Sequence, residues 1–251
     1  MSYIIAVTGK GGTGKTTFSS LLVKNFTELN KTPVLAIDAD PNSCLDSALG
    51  VKITNTVGRA REDVKQESLP PNMSSKELLR IKLSESLVES SGFDLIAMGR
   101  PEGAGCYCYA NNVLKSVIAE LSGQYPYVVL DNEAGLENLS RRIVQKVNIL
   151  CLVSDNSNVG LETLKRLYEL AVEMQIDYDK LVIVVNRVRG GKIPAKLDEV
   201  KAFIKADFTV VLPDDDEIAE FAETSRSIIE LPEDNPVNTA VKKFVSDKII
   251  N

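Results

Sequence analysis

A glycine-rich loop close to the N-terminus constrains the fold of this chain more than any other feature. An apolar run, Tyr3–Thr8, precedes the loop, and a segment with helical periodicity, Thr16–Leu29, follows it. The loop reads Gly9-Lys10-Gly11-Gly12-Thr13-Gly14-Lys15-Thr16 and fits the pattern G-x-x-x-x-G-K-[ST]. Glycines there allow backbone N–H groups to turn inward around phosphate oxygens, and the helix N-terminus adds a favourable dipole. The sequence therefore predicts a strand–loop–helix unit that binds phosphate, although a plain glycine-rich turn is the alternative.

Strand and helix patterns alternate along the rest of the chain. The predicted strands are Tyr3–Thr8, Pro33–Asp38, Asp94–Met98, Tyr127–Asp131, Asn148–Ser154, Leu181–Asn186 and Phe208–Leu212. The predicted helices are Thr16–Leu29, Ser74–Glu89, Asn111–Leu121, Leu161–Met174, Pro194–Ala206 and Val237–Ile250. Thr54–Asn72 is polar and is predicted to be a surface excursion. This order predicts one α/β P-loop domain over residues 1–251, with a mostly parallel sheet of seven or eight strands and helices on both faces.

Composition narrows the functional classes. The chain has 251 residues, a net charge of −6 and no histidine, so the commonest metal ligand and general base are both missing. The acidic balance argues against nucleic acid as a partner, and no apolar run approaches the roughly 20 residues that span a bilayer. The last predicted helix carries lysines but few large apolar residues, which makes a weak membrane anchor. With four cysteines and no export signal, we expect a cytoplasmic, reduced protein.

Each side chain of the loop has a predicted task. The Lys15 ammonium can reach the β- and γ-phosphates of a nucleotide, and the Thr16 hydroxyl can ligate Mg²⁺. The remaining predicted nucleotide contacts of the loop are Gly11, Gly12, Thr13, Gly14 and Thr17. We therefore expect ATP or ADP and Mg²⁺ as cofactors.

A second lysine, Lys10, makes the loop resemble the deviant Walker A loop of the ATPases that include MinD, ParA, the nitrogenase iron protein and ArsA. The resemblance implies a homodimer in which two subunits face each other across nucleotide. Lys10 would then reach the partner's phosphates, as an arginine finger does. A solvated loop lysine is the alternative.

Carboxylates follow two of the predicted strands. Asp38 and Asp40 end one strand, and in the family pattern the residue matching Asp40 positions the attacking water. Asp38 would bind Mg²⁺ through water; a helix cap and turn is the alternative for this pair. Asp131 and Gly135 resemble the family's second switch, D-x-x-A-G, in which the aspartate holds Mg²⁺ through water. The Gly135 N–H would sense the γ-phosphate.

Two later segments resemble the family's base-binding positions. Asn186 ends the strand Leu181–Asn186 and Arg187 follows it, and the resemblance implies that Asn186 hydrogen-bonds the adenine edge. Pro213 and Asp214 resemble the segment that passes along the base. The catalytic residues predicted on this basis are Lys10, Lys15 and Asp40.

A cysteine pair, Cys106 and Cys108, follows the strand Asp94–Met98. Thiolates near a helix N-terminus are suited to Zn²⁺, Ni²⁺ or Cu⁺, and a two-fold dimer would join two pairs into a Cys₄ site. The alternative is two small residues filling a glycine-rich loop. Cys44 ends the segment Asp40–Cys44, which matches the family's first switch, and Cys151 lies in a strand; both are predicted to pack as small residues.

The cysteine pair and the second switch together make the chain similar to the CooC-type ATPases. That resemblance implies Ni²⁺ (or Zn²⁺) held between two subunits and delivery of nickel to an apoprotein, either carbon monoxide dehydrogenase or acetyl-CoA synthase. ATP and metal would both favour the homodimer. Two alternatives stay open: a MinD/ParA-like positioning or partition ATPase, and a metal-binding module whose nucleotide site is only structural. Neither the native metal nor the client enzyme can be identified from the sequence.

Overall fold

Parallel strands build the centre of the protein. The computed structural model describes residues 2–66, 72–100, 115, 118, 121–136 and 146–250. Its strands are β1 (Tyr3–Gly9), β2 (Val34–Asp38), β3 (Leu87–Glu89), β4 (Phe93–Ala97), β5 (Tyr127–Asp131), β6 (Val147–Asp155), β7 (Tyr178–Val188) and β8 (Phe208–Pro213). Within the described residues they form one eight-stranded sheet in the order β3-β4-β2-β5-β1-β6-β7-β8, and only β3 runs antiparallel. The predicted α/β class and mostly parallel sheet are confirmed.

Helices cover both faces of this sheet. They are α1 (Lys15–Glu28), α2 (Leu45–Leu49), α3 (Val57–Gln66), α4 (Ser75–Ser84), α5 (Asn158–Glu173), α6 (Lys196–Ile204), α7 (Asp216–Glu223) and α8 (Pro236–Val245). The alternation of side chains along β1 explains the two layers: Ile5 and Val7 join the core beneath α1 and α8, whereas Ala6 joins the core beneath α5 and α6. Strands buried on both faces read as continuous apolar runs, which is why the sequence identified them.

Some predicted elements were wrong in extent. The predicted helix Ser74–Glu89 ends at Ser84, and its last residues form β3, which pairs with β4. The polar stretch Thr54–Asn72 contains α3. Most of the predicted helix Asn111–Leu121 lies outside the described residues. Among the residues that the structure describes, no helix combines the length and apolar character needed to cross a bilayer.

The carboxyl ends of the parallel strands lie along a single edge of the sheet. The glycine-rich loop follows β1, Asp38 ends β2, and Asp131 ends β5 beside it, in direct register with Asp38. Asn186 lies near the end of β7. The strand order therefore brings segments that are far apart in sequence to one place, where open α/β sheets bind ligands.

Candidate functional site

The glycine-rich loop presents the open end of a helix. Gly14 precedes α1 with φ 94°, a left-handed conformation that favours glycine, and no side chain of the described residues caps the first turn of α1. The Thr13 hydroxyl instead donates to the Lys10 carbonyl at 2.8 Å and holds the loop closed on itself. The first backbone N–H groups of the helix are left for a ligand, and an anion such as phosphate fits them.

The two lysines of the loop differ in environment. Lys15 is only 8% exposed, and its Nζ donates to the Lys10 carbonyl at 3.4 Å. The ammonium is thus folded over the loop, where it faces the space that phosphates would fill. Lys10 is exposed, and its ammonium makes no hydrogen bond or ion pair with the residues that the structure describes. The position of Lys15 is as expected for a phosphate ligand, and that of Lys10 leaves it able to reach another molecule.

Asn186 holds the loop from the other side. Its Nδ2 donates to the Thr13 carbonyl at 3.0 Å, and its Oδ1 accepts from the Arg187 backbone N–H at 2.9 Å. A Cβ on Gly14 would meet Asn186 Nδ2, so a larger residue there would displace this amide as well as adopt an unfavourable conformation. Arg187 is exposed, with φ 57°. Contact of Asn186 or Arg187 with adenine remains a prediction, but Asn186 already links β7 to the phosphate loop.

The segment at the end of β8 lies next to this one. The Asp214 backbone N–H donates to the Val188 carbonyl at 3.1 Å, and the Asp214 carboxylate accepts from Arg189 Nε at 2.8 Å. Pro213 pairs with Val188 in the sheet. The ends of β7 and β8 are therefore held together, and the predicted contact of Pro213 and Asp214 with the base stays a prediction.

A cavity of about 300 Å³ opens beside the first turn of α1. It lies between this turn, the first switch with α2, and α7. Its lining comprises Thr16, Thr17, Ser43, Cys44, Ser47, Ala48, Ile218, Phe221, Ala222, Ser225, Arg226 and Ile228. None of the four residues predicted to contact the base, Asn186, Arg187, Pro213 and Asp214, lines this cavity.

Asp131 is an almost completely buried carboxylate at the end of β5. It accepts a hydrogen bond from Ser19 Oγ at 3.0 Å and another from the Thr16 hydroxyl. Burial raises the pKa of Asp131 to about 6, although these hydrogen bonds and the nearby Lys15 ammonium oppose the rise. Ser19 was not predicted from the sequence; its spacing of three from Thr16, on the same helix face, was the available signal.

Asp38 is fully buried and already hydrogen-bonded. Its Oδ1 accepts from the Asp40 backbone N–H at 3.0 Å, and its Oδ2 accepts from the N–H groups of Cys44 and Leu45 at 2.9 and 3.0 Å. Burial, and then the neighbouring Asp131 carboxylate, raise the pKa of Asp38 to about 7. Asp38 thus shapes the first switch, and its predicted binding of Mg²⁺ through water remains untested.

The oxygens around Asp131 fit a magnesium ion. Mg²⁺ prefers oxygen ligands and retains several waters, so a hydroxyl, one or two carboxylates and the nucleotide phosphates suffice. Thr16 and Asp131 supply the hydroxyl and a carboxylate within hydrogen-bonding distance of each other. A cation there would also offset the cost of burying the charges of Asp38 and Asp131, which lie side by side in the sheet. When bound, Mg²⁺ would neutralise phosphate charge.

Asp40 lies two residues beyond the end of β2. It is half-buried, and its Oδ1 accepts from both the backbone N–H and the Nδ2 of Asn42, at 2.8 and 3.1 Å. No described residue donates a hydrogen bond to its other oxygen, Oδ2, in any contact that the structure shows. That oxygen is therefore available to a water molecule.

The second switch is docked on the phosphate loop. The Gly135 N–H donates to the Gly9 carbonyl at 3.1 Å, the Thr8 hydroxyl donates to the Gly135 carbonyl, and Gly135 has φ 96°. Asn132 is buried and its Nδ2 donates to the Val7 carbonyl at 3.0 Å. The N–H predicted to sense the γ-phosphate is thus occupied by the loop. Thr8 and Asn132 were not singled out in the sequence, because nothing in their spacing signals contacts across 125 residues or more.

The cysteines fall into three environments. Cys106 and Cys108 lie outside the described residues, so their predicted metal site is not tested. Cys151 is fully buried in β6, as predicted. The prediction that Cys44 packs as a small residue was wrong, because Cys44 is exposed at the rim of the cavity; partial burial and the nearby Asp38 raise the pKa of its thiol. In the part of the chain that the structure describes, no cluster of three or more His, Cys, Asp or Glu residues is placed to hold a metal ion.

Known proteins resemble this chain over most of its length. Residues 4–228 match the family described as the CobQ/CobB/MinD/ParA nucleotide binding domain. An uncharacterized ATP-binding protein of Methanocaldococcus jannaschii is 40% identical, covering 99% of this chain and 98% of its own. The carbon monoxide dehydrogenase accessory protein CooC of Rhodospirillum rubrum is 30% identical, covering 68% and 70%.

A solved structure supports the same assignment. The ParA family ATPase of Chlorobium tepidum TLS superposes with a TM-score of 0.75 at 17% identity, covering 98% of each chain. Together with the phosphate loop and its carboxylates, these similarities show that the chain is an ATPase with this P-loop fold. It belongs to the CobQ/CobB/MinD/ParA nucleotide-binding family.

Proposed function

We propose that this ATPase couples hydrolysis to a change in its second switch and uses that change to deliver nickel. The observation that carries the first part is the contact between the Gly135 N–H and the Gly9 carbonyl at 3.1 Å. A γ-phosphate on the loop would compete for this N–H, because a charged acceptor forms the stronger hydrogen bond. ATP would then release the switch from the loop, and hydrolysis would let it return.

The proposed hydrolytic step uses five side chains. Lys15 binds the β- and γ-phosphates, and Thr16 with Asp131 holds the magnesium of the nucleotide. The free Oδ2 of Asp40 orients the attacking water, since phosphoryl transfer depends more on the position of the water than on a strong base. Lys10 of a facing subunit stabilises the charge that develops on the transferred phosphoryl group.

The nickel assignment is supported by the sequence. Cys106 and Cys108 provide two soft ligands on one short loop, and the similarity to the CooC accessory protein covers about two thirds of the chain. Two subunits would complete a four-sulfur site, so ATP and metal would stabilise the same homodimer. In this proposal the nickel passes to the apoprotein of carbon monoxide dehydrogenase or acetyl-CoA synthase.

The test is the metal content of a cysteine variant. We expect protein purified without oxygen and dialysed against Ni²⁺ to retain about one ion per dimer, and Cys106→Ser/Cys108→Ser to retain almost none, because serine lacks the thiolate. Elemental analysis at equal protein concentration gives the measurement. Cys44→Ser, which removes an exposed thiol elsewhere, is the matched control and should keep its nickel. Equal nickel in the double variant and the wild type would exclude this site.

A positioning or partition ATPase is the second candidate, and the ParA fold favours it. A membrane-bound form would need a free apolar helix face. In α8 the apolar residues Val237, Val241 and Phe244 are buried in the core with α1, and Lys242 pairs with Glu28 at 3.2 Å. These contacts give the membrane version less support. Sedimentation of the nickel-free protein with anionic liposomes and ATP separates the candidates, since strong ATP-dependent binding would favour the second.

A further inference from the structure

Arg100 lies at the edge of the hydrolytic site without being part of it. We propose that Arg100 is a positioning residue that orients Asn42 and, through Asn42, holds Asp40 in its working geometry. The inference rests on the function proposed above, because it takes Asp40 to be the group that orients water. Nothing in the phosphate loop or the two switch motifs points to Arg100.

The contacts form a short chain. An Nη2 hydrogen of Arg100 is donated to Asn42 Oδ1. Asn42 in turn donates both its backbone N–H and its Nδ2 to Asp40 Oδ1, at 2.8 and 3.1 Å. Asn42 lies two positions after Asp40 but 58 positions before Arg100, so the link joins the segments that follow β2 and β4.

The donors and acceptors of these three side chains determine the orientation of the Asn42 amide. A guanidinium can only donate hydrogen bonds, so Arg100 selects the oxygen of the Asn42 amide. The amide nitrogen must then face Asp40. Without Arg100 the amide could rotate, and its oxygen would approach the carboxylate as a second acceptor. Arg100 therefore decides whether the Asn42 side chain attracts or repels Asp40.

The backbone around Arg100 is firmly placed. Gly99 has φ 63°, and a Cβ there would lie 2.5 Å from the Thr56 side chain. The Gly58 N–H donates to the Met98 carbonyl at 2.9 Å, and a Cβ on Gly58 would lie 3.2 Å from the Arg100 carbonyl. This close packing of α3 against the end of β4 fixes the direction in which the Arg100 side chain leaves the sheet.

As a result, the two carboxylate oxygens of Asp40 have different roles. Oδ1 is held by the two donors of Asn42, whereas no hydrogen bond from a described residue engages Oδ2. A carboxylate that is fixed through one oxygen is already oriented, so it can bind a water molecule through the other oxygen without losing further rotational freedom. Loss of Arg100 should therefore slow the chemical step and leave ATP binding intact.

The experiment compares steady-state ATP hydrolysis, measured as phosphate release. We expect Arg100→Ala to lower kcat about threefold to tenfold, the loss of one exposed hydrogen bond, with KM for Mg-ATP unchanged within about twofold. Arg100→Lys keeps a donor and should recover most of kcat. Arg59→Ala removes a neighbouring exposed arginine and should behave as wild type. An unchanged kcat in Arg100→Ala, or a change in KM alone, would overturn the proposal.

A double variant tests whether the effect passes through Asn42. Asn42→Ala and Arg100→Ala/Asn42→Ala should have the same kcat, since removing the amide leaves Arg100 nothing to orient. Effects that multiply would mean that Arg100 acts by another route, and the proposal would fail. Asp40→Ala keeps the two hypotheses apart. If that variant hydrolyses ATP at the wild-type rate, the proposed role of Asp40 is wrong, whatever the arginine variants show.

Discussion

At the scale of single residues, the site contains two buried carboxylates whose ionisation destabilises the folded protein. Asp38 and Asp131 lie side by side in the centre of the sheet, both almost inaccessible to water, and the pKa of each carboxyl is raised chiefly by burial. A core that needed only stability would place neutral groups there. The retained carboxylates are explained by a ligand that brings positive charge, which is what Mg²⁺ with a nucleotide would do.

Neutralising Asp131 should therefore stabilise the nucleotide-free protein at high pH. A carboxyl whose pKa rises from 3.8 to about 6 on folding favours the folded state below pH 4, and this contribution is lost as the pH rises through 6. Asn cannot ionise and still accepts from Ser19, so the stability advantage of Asp131→Asn over wild type should grow by about 2 kcal/mol between pH 4.5 and pH 8. Urea unfolding at both pH values measures the difference.

The same variant should lose ATP hydrolysis, because its amide is a poor partner for magnesium. Ser19→Ala provides the control, since it removes a partner of Asp131 without removing the ionisable group. An Asp131→Asn stability gain that did not change between the two pH values would contradict the assigned cause.

At the scale of elements, the phosphate loop depends on β7 through one contact. Gly14→Ala should place a Cβ against Asn186 and also force a left-handed residue. We expect the affinity for ATP to fall at least about tenfold and the stability by about 1–3 kcal/mol. Gly190→Ala is the control, since Gly190 has φ 57° and open space around it.

Relief of the clash gives a second check on this element. Gly14→Ala/Asn186→Ala should recover part of the stability that Gly14→Ala loses, because the side chain in the way is removed. Nucleotide titration and urea unfolding of the four proteins provide the data. If Gly14→Ala and Gly190→Ala proved equally mild, the contact with Asn186 would carry no weight.

The elements also show what the sequence could and could not predict. Buried parallel strands appear in the sequence as apolar runs, so the predicted ends of β1, β2 and β5 lie within a residue or two of the observed ends. The three-residue β3 was absorbed into a helix because its apolar residues continue the helical period of α4, and α3 was missed because it is mostly polar.

The residues of the candidate site also fall into two groups, those that the sequence predicted and those that it did not. Lys15, Thr16, Asp40 and Asp131 were predicted because each belongs to a contiguous motif. The contacts of Asn42 with Arg100 and of Thr8 with Gly135 join separate segments. Such contacts depend on strand order and on the path of each turn, which no local pattern encodes.

At the scale of the whole molecule, the proposed mechanism needs two chains. Lys10 is exposed while its own carbonyl is engaged by Thr13 and Lys15. Its backbone is thus part of one site, while its side chain is directed to solvent and can serve another. A dimer across the nucleotide would use both, and it would exclude water from the phosphates.

Mixing two inactive variants distinguishes action across the dimer from action within one chain. Lys10→Ala and Asp40→Ala should each hydrolyse ATP slowly. In a mixed dimer, the subunit with Asp40 intact would receive Lys10 from its partner, so one of its two sites would work. With half of the dimers mixed, an equimolar solution should recover about a quarter of the wild-type rate.

Recovery of ATP hydrolysis in the mixture is expected only if Lys10 acts on the nucleotide of the partner subunit. If Lys10 served its own nucleotide, neither site of the mixed dimer would have both groups, and the mixture would stay as slow as its components. The rate should also rise with total protein concentration, as subunits exchange into dimers. Mixing Lys10→Ala with itself at the same total concentration corrects for residual activity. A wild-type rate for Lys10→Ala alone would remove the lysine from the mechanism and, with it, the main reason for placing two subunits face to face.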